Sequence, residues 1–153
     1  RDDIYLRIVG GGDEHESLKM EIEGLKLSGK IDLAGWAPRD TIATWLNASD
    51  IFVHPSLYEG TPNSLLEAMA CGLPCLVSDI SENREIISRQ EQRFPVDQPE
   101  TLTALINEVL RSSEKLENCR NSTLEDRNRF IFNWKEKIIE KVEEVIKKSP
   151  KAH

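Results

Sequence analysis

Short apolar runs alternate with helical patterns along most of this sequence. The predicted strands cover residues 4–9, 31–33, 50–54 and 75–77, with a weak strand near Phe94. The predicted helices cover residues 13–27, 39–48, 62–71, 83–87 and 100–110. Strands that are separated by helices pair in parallel through right-handed crossovers. The pattern therefore predicts an α/β fold, a Rossmann-like open parallel sheet with helices on both faces. A chain of 153 residues has the length of a single domain, predicted over residues 1–153.

Loops that contain glycine or proline follow three of the predicted strands. They cover residues 10–12, 35–38 and 55–63. In open α/β sheets, ligands bind beyond the carboxyl ends of the strands. We therefore expect these three loops to line one edge of the predicted sheet and to contain the binding site.

A closing helical segment is predicted over residues 112–148. Near its end, apolar residues recur at helical spacing, namely Trp134, Ile138, Ile139, Val142, Val145 and Ile146. Favourable ion pairs are expected one turn apart, between Glu143 and Lys147 and between Glu144 and Lys148. We expect the apolar stripe to pack on this domain or on a neighbouring one. Membrane binding is disfavoured because the polar face carries charges of both signs.

Composition excludes several classes of function. The net charge of −7 argues against nonspecific nucleic-acid binding, which requires a basic face. The three cysteines, Cys71, Cys75 and Cys119, lack zinc-ligand spacing and are expected to be reduced thiols in a cytoplasmic protein. No metal site is predicted. No apolar run approaches the roughly 20 residues that span a bilayer, and no secretory signal opens the chain.

The stretch YEGTPNSLLEAMAC places two carboxylates around the start of a predicted helix. Glu59 precedes the turn, and Glu67 lies about one turn inside the helix. Thr61 followed by Pro62 has the pattern of an N-cap with proline at the first helical position, and Asn63 is the alternative cap. The backbone amides near Asn63 and Ser64 are then free to attract a phosphate.

Each carboxylate allows two interpretations. Glu67 could accept hydrogen bonds from the two hydroxyls of a ribose, because an ionised carboxylate is a pure acceptor. It could equally be a structural residue that is satisfied by amides or a lysine. Glu59, beside Gly60, could be a solvated loop residue or could contact a ligand that approaches the backbone closely. A phosphate-binding turn between them favours a sugar-nucleotide site.

The segment EGTPNSLLE resembles the E-x7-E signature of the retaining GT-B glycosyltransferases of group 1, which make glycans and polysaccharides. The segments IVGGGDE, IDLAGWAPRDTIATWLNASDIFVHPS and LLEAMACGLPCLVSD resemble other parts of that family, in the same order. The resemblance covers roughly residues 4–110. It implies the C-terminal, nucleotide-sugar-binding half of a GT-B fold, truncated at its N-terminal side.

The resemblance also implies roles for individual residues. Glu59 would be the catalytic carboxylate near the donor sugar, and Glu67 would hold the ribose. The backbone of Gly60, Thr61, Pro62, Asn63 and Ser64 would surround the sugar and diphosphate, with N–H groups from all of them except Pro62. Gly11 and Gly12 would keep the floor of the pocket open. The base would lie near Trp36, Ala37 and Arg39. The donor would be a UDP-, GDP- or similar sugar nucleotide, with no cofactor and no obligatory metal.

Three departures from the family pattern affect this interpretation. Ser81-Glu82-Asn83-Arg84 replaces a glycine-rich turn, which weakens the assignment of Glu85 to the site. His54 replaces a residue that is more often aliphatic, and we interpret it as a strand-end residue and not as a base. The arginine and lysine that neutralise the diphosphate in the family, and its acceptor-binding N-terminal domain, are not in the sequence. We expect the isolated chain to be inactive, and the full enzyme to be cytoplasmic, able to rest on the inner membrane face.

Alternative functions remain open at this point. Gly10-Gly11-Gly12 with Asp32 suggests a nicotinamide dinucleotide site, but His15 stands where the third glycine of that motif belongs. Two carboxylates could also belong to a glycoside hydrolase, although the phosphate-friendly turn favours a nucleotide donor. The chain could finally be a non-catalytic domain for nucleotide binding or protein interaction.

Overall fold

The computed structural model describes residues 3–131 and 134–148, and it divides into two compact units, Arg1–Ala48 and Ser49–His153. The side chains of residues 134, 135, 137 and 145–148 lie outside the described set. The first unit contains β1 (Leu6–Val9), α1 (His15–Gly24), β2 (Ile31–Gly35) and α2 (Arg39–Asn47). Its two strands pair in parallel, and the register shifts between Ile8 and Val9. This is the predicted strand–helix–strand–helix order: β1, α1 and α2 are shorter than predicted, whereas β2 extends to Gly35.

The second unit is built on three parallel strands in the order β3-β4-β5. The strands are β3 (Phe52–His54), β4 (Cys75–Ser78) and β5 (Arg93–Phe94). The helices are α3 (Asn63–Ala70), α4 (Ser81–Ile86), α5 (Pro99–Val109), α6 (Ser113–Arg127) and α7 (Trp134–Lys148). A short 3-10 turn, Gln90–Gln92, leads into β5. Every described strand pair is parallel, which confirms the predicted fold class.

The central strand β4 is fully enclosed. Its residues Cys75, Leu76, Val77 and Ser78 each have no exposed surface. Helices cover both faces of a parallel sheet, so consecutive residues of a central strand are buried. Such a strand therefore appears in the sequence as a continuous apolar run. Leu76 forms a cluster with Val109 and Cys119, and this cluster brings α5 and α6 against the sheet.

Polar side chains inside this unit attach α6 to the sheet. The hydroxyl of Thr123 accepts hydrogen bonds from the backbone N–H of Cys75 at 3.2 Å and from Nε2 of Gln92 at 2.8 Å. Arg129 donates to the backbone carbonyls of Glu85 at 2.6 Å and Ile86 at 2.7 Å, which satisfies carbonyl groups at the end of α4. These hydrogen bonds therefore link β4 to α6, and the end of α4 to the segment that follows α6.

The predicted closing segment over residues 112–148 is two helices, α6 and α7. The described members of the apolar stripe on α7 are Ile138, Ile139 and Val142, and they are 57%, 50% and 51% exposed. The predicted partners Trp134, Val145, Ile146, Lys147 and Lys148 lie outside the residues whose side chains are described. The interpretation of residues 1–153 as a single domain stays a prediction.

Candidate functional site: a buried polar cluster beneath Glu59

Glu59 lies on the loop between β3 and α3 and is held by two neighbouring side chains. The hydroxyl of Ser56 donates to Oε1 of Glu59 at 2.7 Å. Nε2 of His54 lies 3.1 Å from the same oxygen, and the Glu59 side chain is 25% exposed. Among the described residues, both contacts fall on Oε1, so Oε2 is the oxygen that remains for a ligand.

His54 is the last residue of β3 and is only 6% exposed. Burial lowers the pKa of its imidazole below the ordinary value of 6.5, although the Glu59 carboxylate raises it in part. The ring is therefore neutral at pH 7. Because a carboxylate can only accept, Nε2 must carry the proton that faces Glu59. The same Nε2 also lies 3.3 Å from the Ser56 hydroxyl.

A second set of hydrogen bonds fixes the loop below Glu59. The hydroxyl of Ser78 donates to the backbone carbonyl of Ser56 at 2.6 Å. Nδ2 of Asn83 donates to both the carbonyl and the hydroxyl of Ser78, each at 3.0 Å. Asn83 has no exposed surface. The carboxyl ends of β3 and β4 and the start of α4 are thus joined directly under the candidate catalytic carboxylate.

Helix α3 starts one residue later than predicted. Pro62 takes the flanking position, and neither Thr61 nor Asn63 caps the helix through its side chain. The prediction of a side-chain N-cap is therefore wrong. The loop instead turns through a backbone bond from the Asn63 N–H to the Thr61 carbonyl at 2.8 Å. Ser64 and Leu65 remain in the first turn, where N–H groups have no preceding helical acceptor.

Glu67 occupies the less buried side of α3. Leu65, Ala68 and Met69 face the core with at most 1% exposure, while Glu67 is half-buried. The three core residues recur at the spacing of one helical face, which leaves Glu67 beside them and not among them. Thr61, Asn63, Ser64 and Gly60 are exposed, and Pro62 is buried.

Glycine is not required at Gly60 by the packing of the protein. A Cβ atom placed on Gly60 would meet nothing within 4 Å, and the same holds for Gly11 and Gly12. Space is therefore open beside all three residues, as the predicted close approach of a ligand requires.

The remaining predicted site residues belong to the first unit. Gly11 and Gly12 follow β1, and Trp36 and Ala37 follow β2. Trp36 is 82% exposed, whereas Ala37 is 6% exposed. The backbone N–H of Gly10 donates to the carbonyl of Gly35 at 2.8 Å, which brings these two loops together. Arg39 is the exposed first residue of α2.

Asp32 is ion-paired with Arg7, whereas a dinucleotide site requires a carboxylate that is available to the ribose. It lies inside β2, opposite Arg7 on β1. Nε of Arg7 donates to Oδ2 of Asp32 at 2.8 Å, and the Arg7 guanidinium lies over the Trp45 ring at 4.6 Å. A carboxylate that binds a ribose would have to be free at the end of the strand.

Residues 81–84, which depart from the family pattern, follow β4 in a segment that is held by ion pairs. Arg84 binds both oxygens of Asp79, at 2.8 and 2.9 Å, and Nε of Arg93 lies 3.3 Å from Oδ1 of Asp79. The hydrogen bond from Arg84 is the largest cause that lowers the pKa of Asp79. Glu85 is exposed, and only its backbone carbonyl has a described role, as an acceptor for Arg129.

Two cavities lie away from Glu59. One cavity of about 280 Å³ lies between α3 and the end of α6, lined by Leu66, Met69, Ala70, Arg127, Phe130 and Ile131. Another of about 280 Å³ lies in the first unit, with Lys19, Glu23 and Asp32 in its wall.

Within the described ranges, no cluster of His, Cys, Asp or Glu side chains could hold a metal ion. No helix in the described part is long and apolar enough to cross a membrane.

Sequence reasoning singled out Glu59 and Glu67 as candidates but missed residues that support Glu59 and its loop. Ser56, Ser78 and Asn83 are common polar residues, and no motif distinguishes them. His54 gave a signal, because a histidine at the end of an apolar strand is unusual. Its predicted position at the buried strand end is confirmed, whereas its contact with Glu59 was not predicted.

The family model for group 1 glycosyl transferases matches residues 1–126. The chain therefore belongs to the group 1 glycosyl transferases, and the predicted resemblance is confirmed. A galactosyltransferase of Escherichia coli, UDP-Gal:α-D-GlcNAc-diphosphoundecaprenol α-1,3-galactosyltransferase, is 35% identical over 127 residues, which are 78% of this chain and 32% of that protein. The chain thus spans about a third of the length of this relative.

Two further proteins are similar to the chain. The N,N'-diacetylbacillosaminyl-diphospho-undecaprenol α-1,3-N-acetylgalactosaminyltransferase of Campylobacter jejuni is 42% identical over 88 residues, 58% of this chain and 22% of that protein. The pneumococcal O-GlcNAc transferase GtfA, solved in complex with UDP and GlcNAc, superposes with a TM-score of 0.76 at 22% identity, over 94% of this chain and 29% of that chain. The latter match supports the Rossmann-like fold.

Proposed function

We propose that this chain is the donor-binding part of a glycosyltransferase that moves a hexose or related sugar from a nucleotide donor to a glycan or lipid-linked acceptor, with retention. The observation that carries the proposal is the fixed carboxylate of Glu59 at the carboxyl end of β3, directly before the start of α3. Membership of the group 1 family supports it. Retention is proposed from the E-x7-E spacing of Glu59 and Glu67.

Glu59 would contact the donor sugar through its unengaged oxygen. Ser56 and His54 bind Oε1, so Oε2 can accept hydrogen bonds from sugar hydroxyls. Its side chain is a quarter exposed, which is enough for contact with a ligand. As the catalytic carboxylate, Glu59 would orient the sugar relative to the leaving diphosphate.

The start of α3 would bind the diphosphate. The N–H groups of Ser64 and Leu65 lie in the first turn, at the positive end of the helix dipole. No cap side chain competes with a ligand there, since Thr61 and Asn63 do not cap the helix. Negative charge develops on the diphosphate as the glycosidic bond breaks, and fixed N–H groups stabilise that charge.

Residues that the family resemblance assigns to the donor site would bind the nucleoside. Glu67 would accept from the ribose hydroxyls, and Gly11, Gly12, Trp36, Ala37 and Arg39 would surround the base. Open space beside both glycines supports this assignment. The donor is proposed to be a UDP- or GDP-sugar, used without a metal. UDP-galactose appears in the name of the E. coli relative, and UDP is bound in the pneumococcal structure.

The acceptor would be bound by a further domain of the same protein. Two relatives act, by their names, on sugars linked through diphosphate to undecaprenol, which supports a lipid-linked acceptor. The full enzyme would then work in the cytoplasm at the inner face of the membrane.

The proposal is tested by titrating the chain with UDP, GDP, ADP and NAD while the amides of residues 60–67 are followed by NMR. Shifts with one nucleoside diphosphate would support the donor site and identify the base. We expect Glu67→Ala to weaken that binding by about 1.5–3 kcal/mol, the range for a hydrogen bond to a charged acceptor. Glu125→Ala is the matched control, because Glu125 is 68% exposed and pairs only with Arg89 among the described contacts.

An unchanged affinity in Glu67→Ala would contradict the ribose assignment. A response to NAD around Gly11 and Gly12, with none at residues 60–67, would contradict the donor site itself. Glu59→Ala should leave the affinity for a nucleoside diphosphate unchanged and reduce sugar transfer by the full-length enzyme.

A further inference from the structure

The buried end of β3 carries a histidine where an apolar side chain would satisfy the packing. Phe52 and His54 have ring centroids 6.0 Å apart with planes at 20°, and His54 lies opposite Val77 on the fully buried β4. Burying a polar ring in such surroundings is unfavourable unless the ring is hydrogen-bonded. The partners described for His54 are Glu59 and Ser56, and both belong to the loop that carries the candidate catalytic carboxylate.

The Ser56 hydroxyl and the His54 ring both approach Oε1 of Glu59. The Ser56 hydroxyl has a single hydrogen, which it donates to Oε1 of Glu59. Its lone pairs are then available to the N–H of His54, which lies 3.3 Å from the Ser56 oxygen and 3.1 Å from Oε1. A neutral imidazole with the proton on Nε2 satisfies both acceptors. The carboxylate is thereby fixed on one side by two uncharged donors.

We propose that His54 is a positioning residue for sugar recognition: with Ser56 it fixes Oε1 of Glu59, so that Oε2 is directed to the hydroxyls of the donor sugar. This inference rests on the proposed function. It predicts that His54 contributes to binding of the sugar and not of the nucleotide. It also predicts that the contribution passes entirely through Glu59.

An uncharged positioning residue suits this role. A lysine or a protonated histidine at the same place would neutralise Glu59 and weaken its interaction with hydroxyl groups. A neutral N–H leaves the full negative charge on the carboxylate, and a hydrogen bond from a hydroxyl to an ionised acceptor is stronger than one to a neutral acceptor. A freely rotating Glu59 would lose side-chain entropy on binding the sugar, and the two donors remove that cost in advance.

The experiment compares five forms of the chain: the unaltered protein, the single variants His54→Leu, His54→Gln and Glu59→Gln, and the double variant His54→Leu/Glu59→Gln. Each is titrated by NMR with UDP and UDP-galactose, and with GDP and GDP-mannose. For each pair, the measured quantity is the dissociation constant of the nucleoside diphosphate divided by that of its sugar nucleotide. This ratio isolates the contribution of the sugar to binding. Thermal unfolding of each variant verifies that it folds, and Glu125→Gln is the control for a carboxylate change away from the site.

We expect His54→Leu to weaken sugar-nucleotide binding about three- to tenfold, while binding of the nucleoside diphosphate changes less than twofold. His54→Gln should recover most of the loss, because glutamine keeps an N–H donor. In the Glu59→Gln background, His54→Leu should cause no additional loss, since coupled residues are non-additive. A purely structural role would lower stability in both backgrounds and would not distinguish sugar from nucleotide.

Several outcomes would overturn the inference. They are an equal loss for UDP and UDP-galactose, no loss for either, failure of His54→Gln to recover binding, or a full effect of His54→Leu in the Glu59→Gln background. If the unaltered chain binds UDP or GDP with the same affinity as the corresponding sugar nucleotide, the nucleotide site is supported. The proposed roles of Glu59 and His54 are then contradicted. If the unaltered chain binds no nucleotide, the proposed function falls and the inference with it.

Discussion

The hydroxyl of Ser78, at the end of the buried strand β4, donates a 2.6 Å hydrogen bond to the backbone carbonyl of Ser56. This bond connects the centre of the sheet to the loop that carries Glu59. Asn83 in turn donates to the Ser78 hydroxyl at 3.0 Å, so each group depends on the next. The precision of the candidate site therefore comes from the core and not from the exposed loop.

Replacing Ser78 by alanine should destabilise the protein and loosen the loop. Ser56 loses its donor and Asn83 loses an acceptor, and unsatisfied buried groups cost about 1–3 kcal/mol. Urea unfolding measures the change. Ser122→Ala is the control, because the one contact described for the Ser122 hydroxyl is with the Asn118 carbonyl of its own helix. A change of under about 0.5 kcal/mol is expected there. Equal effects of the two substitutions would contradict this prediction.

Gly60→Ala should leave the fold intact and impair donor binding. A Cβ at Gly60 would meet no atom of the protein within 4 Å, so the unfolding midpoint should hardly move. A donor that approaches this backbone would meet the new methyl group. Affinity for UDP-galactose should fall, while Gly29→Ala, where a Cβ also meets nothing within 4 Å, should not change it. If Gly60→Ala bound UDP-galactose with unchanged affinity, the sugar would not lie beside Gly60.

Stability should decline as the pH falls below about 6.5, in part because of His54. Burial holds its pKa below the ordinary value of 6.5 in the folded protein. Between the folded and the unfolded value, the unfolded chain binds more protons, so stability rises with pH. The contribution of His54 to the free energy of unfolding is complete above pH 6.5. It is lost as the pH falls toward the pKa of His54 in the folded protein.

This pH dependence can be measured by urea unfolding at several pH values between 5 and 8, for the unaltered chain and for His54→Gln. The variant lacks this titration and should show a flatter decline. Identical pH dependence in the two proteins would show that His54 is protonated as easily in the folded state as in the unfolded one.

The three cysteines should differ in reactivity. Burial raises the pKa of Cys119 to about 11 and raises that of Cys75 further. Because the thiolate is the reactive form, both should resist alkylation. Cys71 is only half-buried and should be modified first by iodoacetamide, as read by peptide mass spectrometry. All three should react in urea. Early modification of Cys75 in the native protein would mean that β4 is exposed more readily than its burial indicates.

Much of the fold was predictable because periodicity directly reflects burial. The helix around Glu67 was expected over residues 62–71 and is observed as Asn63–Ala70, with Leu65, Ala68 and Met69 inside. Its cap was predicted wrongly, since Thr61 and Pro62 match a capping pattern that the loop satisfies through a backbone bond instead. Local preferences cannot decide between two such solutions.

The sequence by itself determined the alternation of strands and helices, the family, and the positions of Glu59 and Glu67, because each of these is encoded by order and spacing along the chain. Only the tertiary structure decided what supports the loop that carries Glu59. Ser78 and Asn83 are distant from Glu59 in sequence, and the parallel pairing of β3 with β4 is what brings them under its loop. The neutral state of His54 likewise depends on burial among residues of two strands, which no local pattern records.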